Sequence, residues 1–322
     1  MVRVSVIIPT YNRANLIGET LSSVIRQSMQ DIEIIVVDDG STDNTREVVN
    51  KITDSRIKYF YKENGGVASA RNFGIANSRG KYIALLDSDD LYPENYLEIM
   101  TDRLEQNKDF GMAYAKCENV YPDGRREAVF EKASFLSGNL TRYYFGRMPC
   151  ILPPATVLRK DCLNNFYFDE QLKLTEDIDF FLRLSVKTKF LCVPEVTVIR
   201  RIFGNNLSVQ TQIAISPNTA LILERFINYM NEDGPVPAKL ARKRLSKVYR
   251  SLSRIHAKAG NRTAAVKLIK KAIACYPWDY RYYKKLLKAL FMSRKKDKMP
   301  DWQMPEPLPP YIIVNGKEIE CK

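Results

Sequence analysis

Histidine is almost absent from the sequence, and cysteine is sparse. Among 322 residues there is one histidine, His256, so a catalytic scheme built on a histidine base has to use that residue. The six cysteines form no CxxC pair and have no histidine nearby, which argues against a zinc site or a disulfide framework. They are Cys117, Cys150, Cys162, Cys192, Cys275 and Cys321. We therefore expect reduced thiols in a cytoplasmic protein.

Long apolar runs are also missing. No run approaches the roughly 18 residues that a membrane-spanning helix needs, and the start MVRVSVIIPTYN has no signal-peptide pattern. An integral membrane or secreted protein is therefore not expected. Hydrophobic residues make up 45% of the chain, enough for a core, which excludes wholesale disorder. At roughly 150 residues per domain, the length indicates two domains, or one large domain with an appendage.

Acidic residues are scarce in the C-terminal third. Residues 1–210 hold 27 Lys and Arg against 28 Asp and Glu, a net charge of −1, whereas residues 211–322 hold 23 against 9, a net charge of +14. Within 239–298 there are 20 basic residues and only Asp279 and Asp297 to oppose them. This density favours a polyanionic partner, either an anionic membrane leaflet or nucleic acid. The alternative is a solvated helix face that keeps the protein soluble.

Short apolar runs alternate with helical patterns from residue 1 to about 105. The predicted strands are Val4–Ile8, Ile32–Val37, Arg56–Tyr61 and Tyr82–Leu86. Strands buried on both faces and alternating with helices indicate a doubly wound α/β unit with a parallel sheet. Ligands of such sheets bind beyond the carboxyl ends of the strands. Three polar segments fall there and are expected to converge: Thr10-Tyr11-Asn12, Asp38-Asp39 and Asp87-Ser88-Asp89-Asp90.

The rest of the chain is less regular and then helical. A helix is expected to begin near Thr175, and amphipathic stretches follow at Leu240–His256, Arg262–Cys275 and Trp278–Met292. The fragment Ala257–Ala265, followed by Pro277, resembles one tetratricopeptide-like helical hairpin, and one unit is too few for a repeat array. Residues 293–322 are proline-rich and charged and predict an extended or mobile tail.

The carboxylates that follow Tyr82–Leu86 form the most informative of the polar segments. Asp87, Asp89 and Asp90 lie so close in sequence that a cation is expected to neutralise them, and their hard oxygen ligands suit Mg²⁺ or Mn²⁺. A divalent ion there would bridge a diphosphate. The alternative is a turn that caps the next helix.

Four ordered blocks then resemble a known family. They are VSVIIPTYNRANLIGETLSSVIRQS, IIVVDDGSTDNT, NGGVASARNFGIANSRGKYIALLDSDD and LTEDIDFFLRL. Together, over about residues 3–210, they are similar to the inverting glycosyltransferases of family two. That resemblance implies a GT-A fold, a Rossmann-like doubly wound mixed sheet, followed here by a small α-helical appendage.

The resemblance also implies a donor site. The end of the first strand (Pro9, Thr10, Tyr11) and Asp39 fall where the family holds the nucleotide base. The DXD-like element falls on Asp87-Ser88-Asp89, with Asp87 facing the ribose and Asp89 holding the metal. Arg71 and Asn72 fall where the family has polar residues near the nucleotide or diphosphate.

The catalytic base of the family lies in its ED motif, here Glu176-Asp177. An ionised Asp at a helix N-terminus is suitably stabilised to deprotonate an acceptor hydroxyl, so Asp177 is the candidate base. Glu176 would orient the site or the acceptor, and Asp179 is a rival for the base. The alternative is a capping cluster after Thr175.

The segment VIRRIFGNNLS resembles the part of the family that closes over the diphosphate. Arg200 and Arg201 match, but Phe203 stands where many members have a histidine that helps to bind the metal. Either Asp89, diphosphate and water hold the ion, or metal dependence is weaker. The Arg pair could also be only a surface ion-pairing site.

The resemblance predicts an enzyme that transfers a hexosyl or N-acetylhexosaminyl group, with inversion, from a nucleotide diphosphate to a glycan or lipid-linked saccharide in polysaccharide synthesis. Uridine is expected as the commonest donor nucleotide of the family. The alternative is a catalytically silent sugar-nucleotide or membrane-binding adaptor. Predicted regions are 1–105 for the donor, 106–215 for the acceptor, 216–292 for a basic helical domain and 293–322 for the tail. No nucleic-acid motif accompanies the basic helices, so peripheral attachment to the inner face of the plasma membrane is expected instead of nucleic-acid binding.

Overall fold

The computed structural model of the chain describes residues 2–129, 136–147, 151–203, 212–229, 234–291, 304–309, 312–314 and 318–320. The chain divides into two compact units. Unit 1 comprises Met1–Leu140, Pro149–Asn206 and Ile312–Lys322, and unit 2 comprises Thr141–Met148 and Leu207–Tyr311.

Eleven strands are described. They are β1 (Val4–Thr10), β2 (Ile32–Asp38), β3 (Ile57–Tyr61), β4 (Tyr82–Leu85), β5 (Asp90–Leu91), β6 (Phe110–Val120), β7 (Arg126–Ala128), β8 (Thr156–Arg159), β9 (Lys189–Arg201), β10 (Ile312–Val314) and β11 (Glu318–Glu320).

Ten α-helices are described. They are α1 (Ile17–Ile25), α2 (Thr45–Asn50), α3 (Val67–Ala76), α4 (Tyr96–Gln106), α5 (Thr141–Arg147), α6 (Glu176–Lys187), α7 (Gln212–Tyr229), α8 (Ala238–Ala259), α9 (Arg262–Cys275) and α10 (Tyr280–Leu290). Two short 3₁₀ turns, Pro153–Ala155 and Lys160–Leu163, flank β8.

The main sheet of unit 1 is mixed. Its strand order is β3-β2-β1-β4-β8-β6-β9-β5, with β7 paired to β6. Strands β3, β2, β1 and β4 are parallel, whereas β8 is antiparallel to both β4 and β6. Every residue of β1 and β2 is buried, as their nearly continuous apolar sequences require. The predicted α/β class with a doubly wound mixed sheet is confirmed.

Strands β9 and β1 both continue past their most apolar residues. Strand β9 extends from Lys189 to Arg201, because it pairs along almost all of β6. Strand β1 continues through Pro9, which has no N–H to donate to a neighbouring strand.

Unit 2 is helical. Helices α8 and α9 form a hairpin, in which Gly260 has a left-handed conformation (φ 88°) and the Asn261 side chain accepts the N–H of Ala264. The Ser253 hydroxyl donates across the hairpin to the carbonyl of Ala265. Phe145 of α5 packs against Phe226 of α7, which explains why α5 groups with unit 2 although it lies within the predicted acceptor region 106–215.

Three further expectations concern the whole chain. The four described cysteines are free thiols, and Cys150 and Cys321 lie outside the described residues. In the region expected to be an extended tail, β10 and β11 pair antiparallel. Within the described ranges, no helix is both long enough and apolar enough to cross a membrane.

Candidate active site

The register of the parallel strands gathers the polar segments at one edge of the sheet. Thr10 at the end of β1 is in register with Asp38 at the end of β2, and Ile7 is in register with Leu85 of β4. The Asp39 N–H donates to the Thr10 carbonyl at 2.8 Å. The expected convergence of the strand-end segments follows from this register.

The end of β1 offers one buried polar atom. Thr10 is only 2% exposed, and its hydroxyl oxygen has no hydrogen-bond partner within the described part of the chain. A buried hydroxyl without a partner costs free energy that a bound ligand can recover. Its neighbour Tyr11 is 47% exposed, which leaves an aromatic ring accessible beside it.

Asp39 organises the turn before α3. Its carboxylate accepts the Lys62 ammonium at 2.8 Å and the N–H groups of Gly65 and Gly66 at 3.0 and 2.7 Å. Gly66 has a φ of 92°, which favours glycine. Lys62, Gly65 and Gly66 had no predicted role, although the Asn-Gly-Gly sequence ahead of a helix was the available signal.

Arg71 joins two distant parts of the chain. Its guanidinium donates to the Asp87 carboxylate at 2.8 Å and to the Glu176 carboxylate at 2.7 Å. Its side chain is 4% exposed and lies over the ring of Phe168, 5.3 Å from the ring centroid. Burial alone would lower the pKa of Arg71, but the charges of Asp87 and Glu176 outweigh it and raise the pKa. A permanently charged arginine therefore bridges the predicted donor residue and the predicted ED motif.

The ED motif occupies the first turn of α6. Thr175, just before the helix, has a left-handed backbone (φ 69°), and the Asp177 carboxylate accepts the N–H of Ile178 at 2.8 Å. Burial and the neighbouring charge of Asp177 raise the pKa of Glu176 to about 7, with Arg71 opposing the shift. Burial also raises the pKa of Asp177, against the opposing charge of Arg71. Both carboxyls are thus more basic than ordinary ones.

Asp179 lies in a different environment. Asp179 and Arg183 both have fully buried side chains, and they form an ion pair at 2.6 Å one helical turn apart. Arg183 also donates to the Tyr167 carbonyl at 2.9 Å and lies 4.7 Å from the Phe166 ring centroid. A side chain enclosed in this way cannot reach an acceptor hydroxyl.

Asp89 lines a small pocket. The pocket, of about 170 Å³, is bounded by Asn12, Arg13, Asn15, Leu16, Asp89 and Phe203. The Arg13 guanidinium lies 3.8 Å from the Asp89 carboxylate. Burial and the charge of Asp87 raise the pKa of Asp89, although Arg13 and Arg201 oppose the shift. Arg13 had no predicted role, and it follows the Thr-Tyr-Asn segment directly in sequence.

Asp89 is the one carboxylate among the residues that line this pocket, so a divalent cation there would be held by a single protein carboxylate. Asp87 is bonded to Arg71, and Asp90 is only 3% exposed. Across the described ranges, no group of three or more His, Cys, Asp or Glu side chains is arranged to hold a metal ion. Mg²⁺ is commonly held by one or two carboxylates, with substrate phosphates and water completing the shell.

The two arginines of β9 have different surroundings. Arg201, which is 8% exposed, donates to the Glu19 carboxylate and the Asp89 carbonyl, both at 2.6 Å. It also donates to the Leu16 carbonyl and the Thr20 hydroxyl. Arg200 donates to the Asn119 side chain at 3.1 Å. Arg201 thus fastens the Asp89 backbone to helix α1.

Asn72 and Ser88 make structural contacts. The Asn72 amide donates to the Phe168 carbonyl and to the Glu170 carboxylate, both at 2.9 Å, and its oxygen accepts the Phe168 N–H. Ser88 is 6% exposed, and its carbonyl accepts the Thr20 hydroxyl. His256 is 1% exposed within α8, so it does not serve as an accessible base.

A family comparison covers the segments that follow β1, β2 and β4. The model of the family described as Glycosyl transferase family 2 matches residues 5–166. The chain belongs to glycosyltransferase family 2. The family resemblance noted in the sequence is thereby confirmed.

Relatives found by sequence comparison extend this result. The chain is 30% identical to the chondroitin synthase of Pasteurella multocida over 233 residues, which cover 70% of the chain and 23% of that protein. It spans less than a third of the length of the uncharacterized glycosyltransferases of Rickettsia bellii, Rickettsia felis and Rickettsia conorii that it matches.

Two solved structures share the fold. One is Staphylococcus aureus TarS, residues 1–349, in complex with UDP-GlcNAc, with a TM-score of 0.64, 18% identity, and coverage of 99% of this chain and 97% of that one. The other is the mannosyltransferase PcManGT from Pyrobaculum calidifontis with GDP-Man and Mn²⁺, with a TM-score of 0.56, 20% identity, and coverage of 90% and 85%. The predicted GT-A fold with a C-terminal helical region is confirmed.

Proposed function

We propose that this glycosyltransferase moves a hexosyl or N-acetylhexosaminyl group from a UDP-sugar to a hydroxyl of a glycan or lipid-linked saccharide, with inversion, in cell-surface polysaccharide synthesis. The observation that carries the proposal is the Arg71 bridge. It connects Asp87, assigned to the donor, with Glu176, next to the assigned base, through two charge-assisted hydrogen bonds.

The donor would bind at the edge where β1, β2 and β4 end. In this proposal Pro9, Thr10, Tyr11 and Asp39 hold the base and Asp87 faces the ribose. The buried Thr10 hydroxyl and the exposed Tyr11 ring support it, since a base needs a polar contact and an apolar surface. The UDP-GlcNAc complex of TarS, a protein of the same fold, supports a UDP-sugar donor.

Asp89 would hold Mn²⁺ or Mg²⁺, which supplies positive charge to the departing diphosphate. The accessible pocket at Asp89 and the Mn²⁺ in PcManGT support this assignment. We assign Arg201 to the positioning of the Asp89 backbone, because its described bonds join that backbone to α1. Arg200 and Arg13 are the cations assigned to the diphosphate, and Asn72 and Ser88 are assigned to support the donor site.

Asp177 would act as the general base. The first turn of a helix stabilises the carboxylate, while burial raises its pKa toward the range in which it accepts a proton from a hydroxyl. Glu176 would position the Asp177 carboxylate through its bond to Arg71. The enclosed pair of Asp179 with Arg183 argues against Asp179 as the base.

A binding assay and a product assay together test the function. UDP-sugars with Mn²⁺ or Mg²⁺ are expected to raise the melting temperature, because a ligand that binds only the folded state stabilises it. Incubation with saccharide acceptors is expected to give product whose anomeric configuration, read by NMR, is opposite to that of the donor. Binding without transfer to any acceptor would favour a silent adaptor, and a retained configuration would refute inversion.

Peripheral attachment to the inner face of the plasma membrane is part of the proposal. Helix α8 carries exposed Lys239, Arg242, Lys243, Lys247 and Arg254. Its apolar residues Leu245, Val248 and Leu252 are buried. An exposed row of cations would bring the enzyme to an anionic leaflet where a lipid-linked acceptor is held. Retention on vesicles of anionic lipid, compared with duplex DNA at increasing salt, tests it.

A further inference from the structure

Helix α10 carries large apolar side chains on its exposed side. Tyr280 is 67% exposed, Leu287 is 56% exposed, and Phe291, directly after the helix, is 85% exposed. Tyr283 is 44% exposed. Soluble proteins expose single apolar residues routinely, but a contiguous group of this kind marks a contact surface.

Helical spacing puts these four side chains on one face. Positions 280, 283, 287 and 291 follow steps of three and four residues, which align side chains along a helix. The opposite face packs within unit 2, where Tyr282 and Ala289 are buried and the Tyr282 hydroxyl is 3.1 Å from the Ser246 hydroxyl. Helix α10 therefore has one apolar face in the core and a second one, here named the α10 stripe (Tyr280, Tyr283, Leu287, Phe291), exposed.

Basic side chains border the α10 stripe. Lys284 and Lys288 are exposed on the same helix, and the Lys284 ammonium lies 5.3 Å from the centroid of the Tyr280 ring. Trp278, which precedes the helix, is 84% exposed.

We propose that the α10 stripe inserts into the headgroup region of an anionic lipid bilayer, with Trp278 and the neighbouring lysines at its rim. Tryptophan and tyrosine favour the membrane interface, and leucine and phenylalanine favour the acyl boundary just below it. Lysine stems lie along the apolar surface while their ammonium groups reach lipid phosphates. Charge complementarity thus identifies a lipid surface as the occupant.

This inference goes beyond the proposed glycosyl transfer and does not depend on it. The basic row of α8 predicts attachment by charge alone, which high salt abolishes. Insertion of the α10 stripe adds buried apolar area, a contribution that salt does not screen. The two attachments are therefore distinguishable in one titration.

Trp278 provides a direct probe. The chain has two tryptophans, Trp278 and Trp302, so W302F leaves Trp278 as the only tryptophan, which can be excited selectively over the tyrosines. Vesicles of phosphatidylcholine with phosphatidylserine are expected to shift the Trp278 emission to shorter wavelength, and pure phosphatidylcholine vesicles are expected to shift it less. An unchanged emission spectrum with anionic vesicles at low salt would overturn the proposal.

Variants of the stripe locate the contact. In the W302F background, L287S with F291S is expected to reduce vesicle partitioning about tenfold and to remove the binding that persists at high salt. Y229S, at another exposed aromatic residue of unit 2 (41% exposed), is the matched control and is expected to bind like the parent. K284Q with K288Q is expected to weaken binding at low salt only.

Three outcomes would overturn the assignment. One is undiminished high-salt binding by L287S with F291S, given an unchanged thermal melt. A second is that the wild-type protein forms an oligomer, and that L287S with F291S converts it to a monomer without an effect on vesicle binding. The stripe would then be a contact between copies of the chain. The third is that the protein binds duplex DNA as well as it binds anionic vesicles, and that L287S with F291S weakens both kinds of binding equally. UDP-sugar turnover with a water-soluble acceptor is expected to be unchanged in that variant, so failure of the membrane proposal is separable from failure of the transferase proposal.

Discussion

Replacement of Arg71 by methionine removes the bridge between Asp87 and Glu176 while it keeps the volume of the side chain nearly constant. Arg71 is buried, and both of its named carboxylate partners remain after the substitution. Loss of one partner of a buried ion pair costs about 3–5 kcal/mol. Because the Asp87 side chain is 33% exposed and partly screened by water, we take the lower end, about 3 kcal/mol.

The loss is expected to depend on pH. The pKa of Glu176 is raised to about 7, so Arg71 and Glu176 form a full charge pair only above that pH. Near pH 8 the R71M variant loses the charge pair with Glu176, whether Glu176 stays ionised or takes up a proton, whereas near pH 6 Glu176 is protonated in both proteins. We therefore expect the loss to fall from about 3 kcal/mol near pH 8 to about 1.5 kcal/mol near pH 6, the scale of the remaining hydrogen bond to Asp87.

Urea unfolding near pH 6 and pH 8 measures this difference. The matched control is R56M, since the Arg56 side chain pairs with Asp54 at 2.7 Å in unit 1. The Arg56 hydrogen bond lowers the pKa of Asp54, so that pair is charged at both pH values and its loss is expected to be the same at each. A loss for R71M below about 0.5 kcal/mol near pH 8, or one equal at both pH values, would refute the reasoning.

Three further predictions concern the proposed chemistry. D89A is expected to abolish Mn²⁺-dependent UDP binding, measured by calorimetry, because it removes the carboxylate assigned to the cation. An unchanged affinity would mean that Asp89 is only a structural capping residue. D177N is expected to bind UDP normally but to have a turnover rate lower by a factor of about 10²–10⁴, because an amide cannot accept the proton. D179N is expected instead to lower the melting temperature, because it breaks the buried ion pair with Arg183. An active D177N variant together with a folded but inactive D179N variant would reverse the assignment of the base. The rate of transfer is expected to rise as pH increases through about 7, where the raised pKa of Glu176 lies, because the coupled Glu176 and Asp177 carboxyls must be ionised. A rate that does not depend on pH in that range would contradict this prediction.

The contribution of Glu176 to folding stability is expected to fall as pH rises, which is opposite to the expected change in the rate of transfer. Its pKa rises from 4.5 to about 7 on folding, so the folded state binds more protons between those values. This carboxyl therefore contributes stability below about pH 4.5 that is lost as pH rises through about 7. Removal of the Asp177 charge in D177N is expected to lower the pKa of Glu176, which NMR titration would detect.

Local sequence was sufficient for the central strands. Apart from Glu33, Ile32–Val37 and Tyr82–Leu86 are apolar runs closed by acidic residues, and a parallel sheet buried on both faces is the arrangement that satisfies such runs. Since parallel strands end at one edge, the grouping of Thr10, Asp39 and Asp87 also followed from sequence order. The basic excess of residues 239–298 was likewise visible without a structure.

Tertiary structure decided the connection between the residues proposed to bind the donor and the proposed base. Arg71 and Glu176 are 105 positions apart, and no local pattern encodes which buried arginine meets which carboxylate. The same holds for the choice between Asp177 and Asp179. They are two residues apart on α6, so they point in different directions, and only the packing around Arg183 and Phe166 determines that Asp179 is the enclosed one.

Helix α10 also shows which features the sequence predicts and which depend on tertiary structure. Its sequence predicts an amphipathic helix, but Tyr282 and Tyr283 are chemically identical neighbours, one buried and one 44% exposed. Periodicity identifies apolar faces and cannot say which of them meets the core. That choice depends on the surface that α8 and α9 present, including the Ser246 hydroxyl that meets Tyr282, and a surface of this kind exists only after the chain has folded.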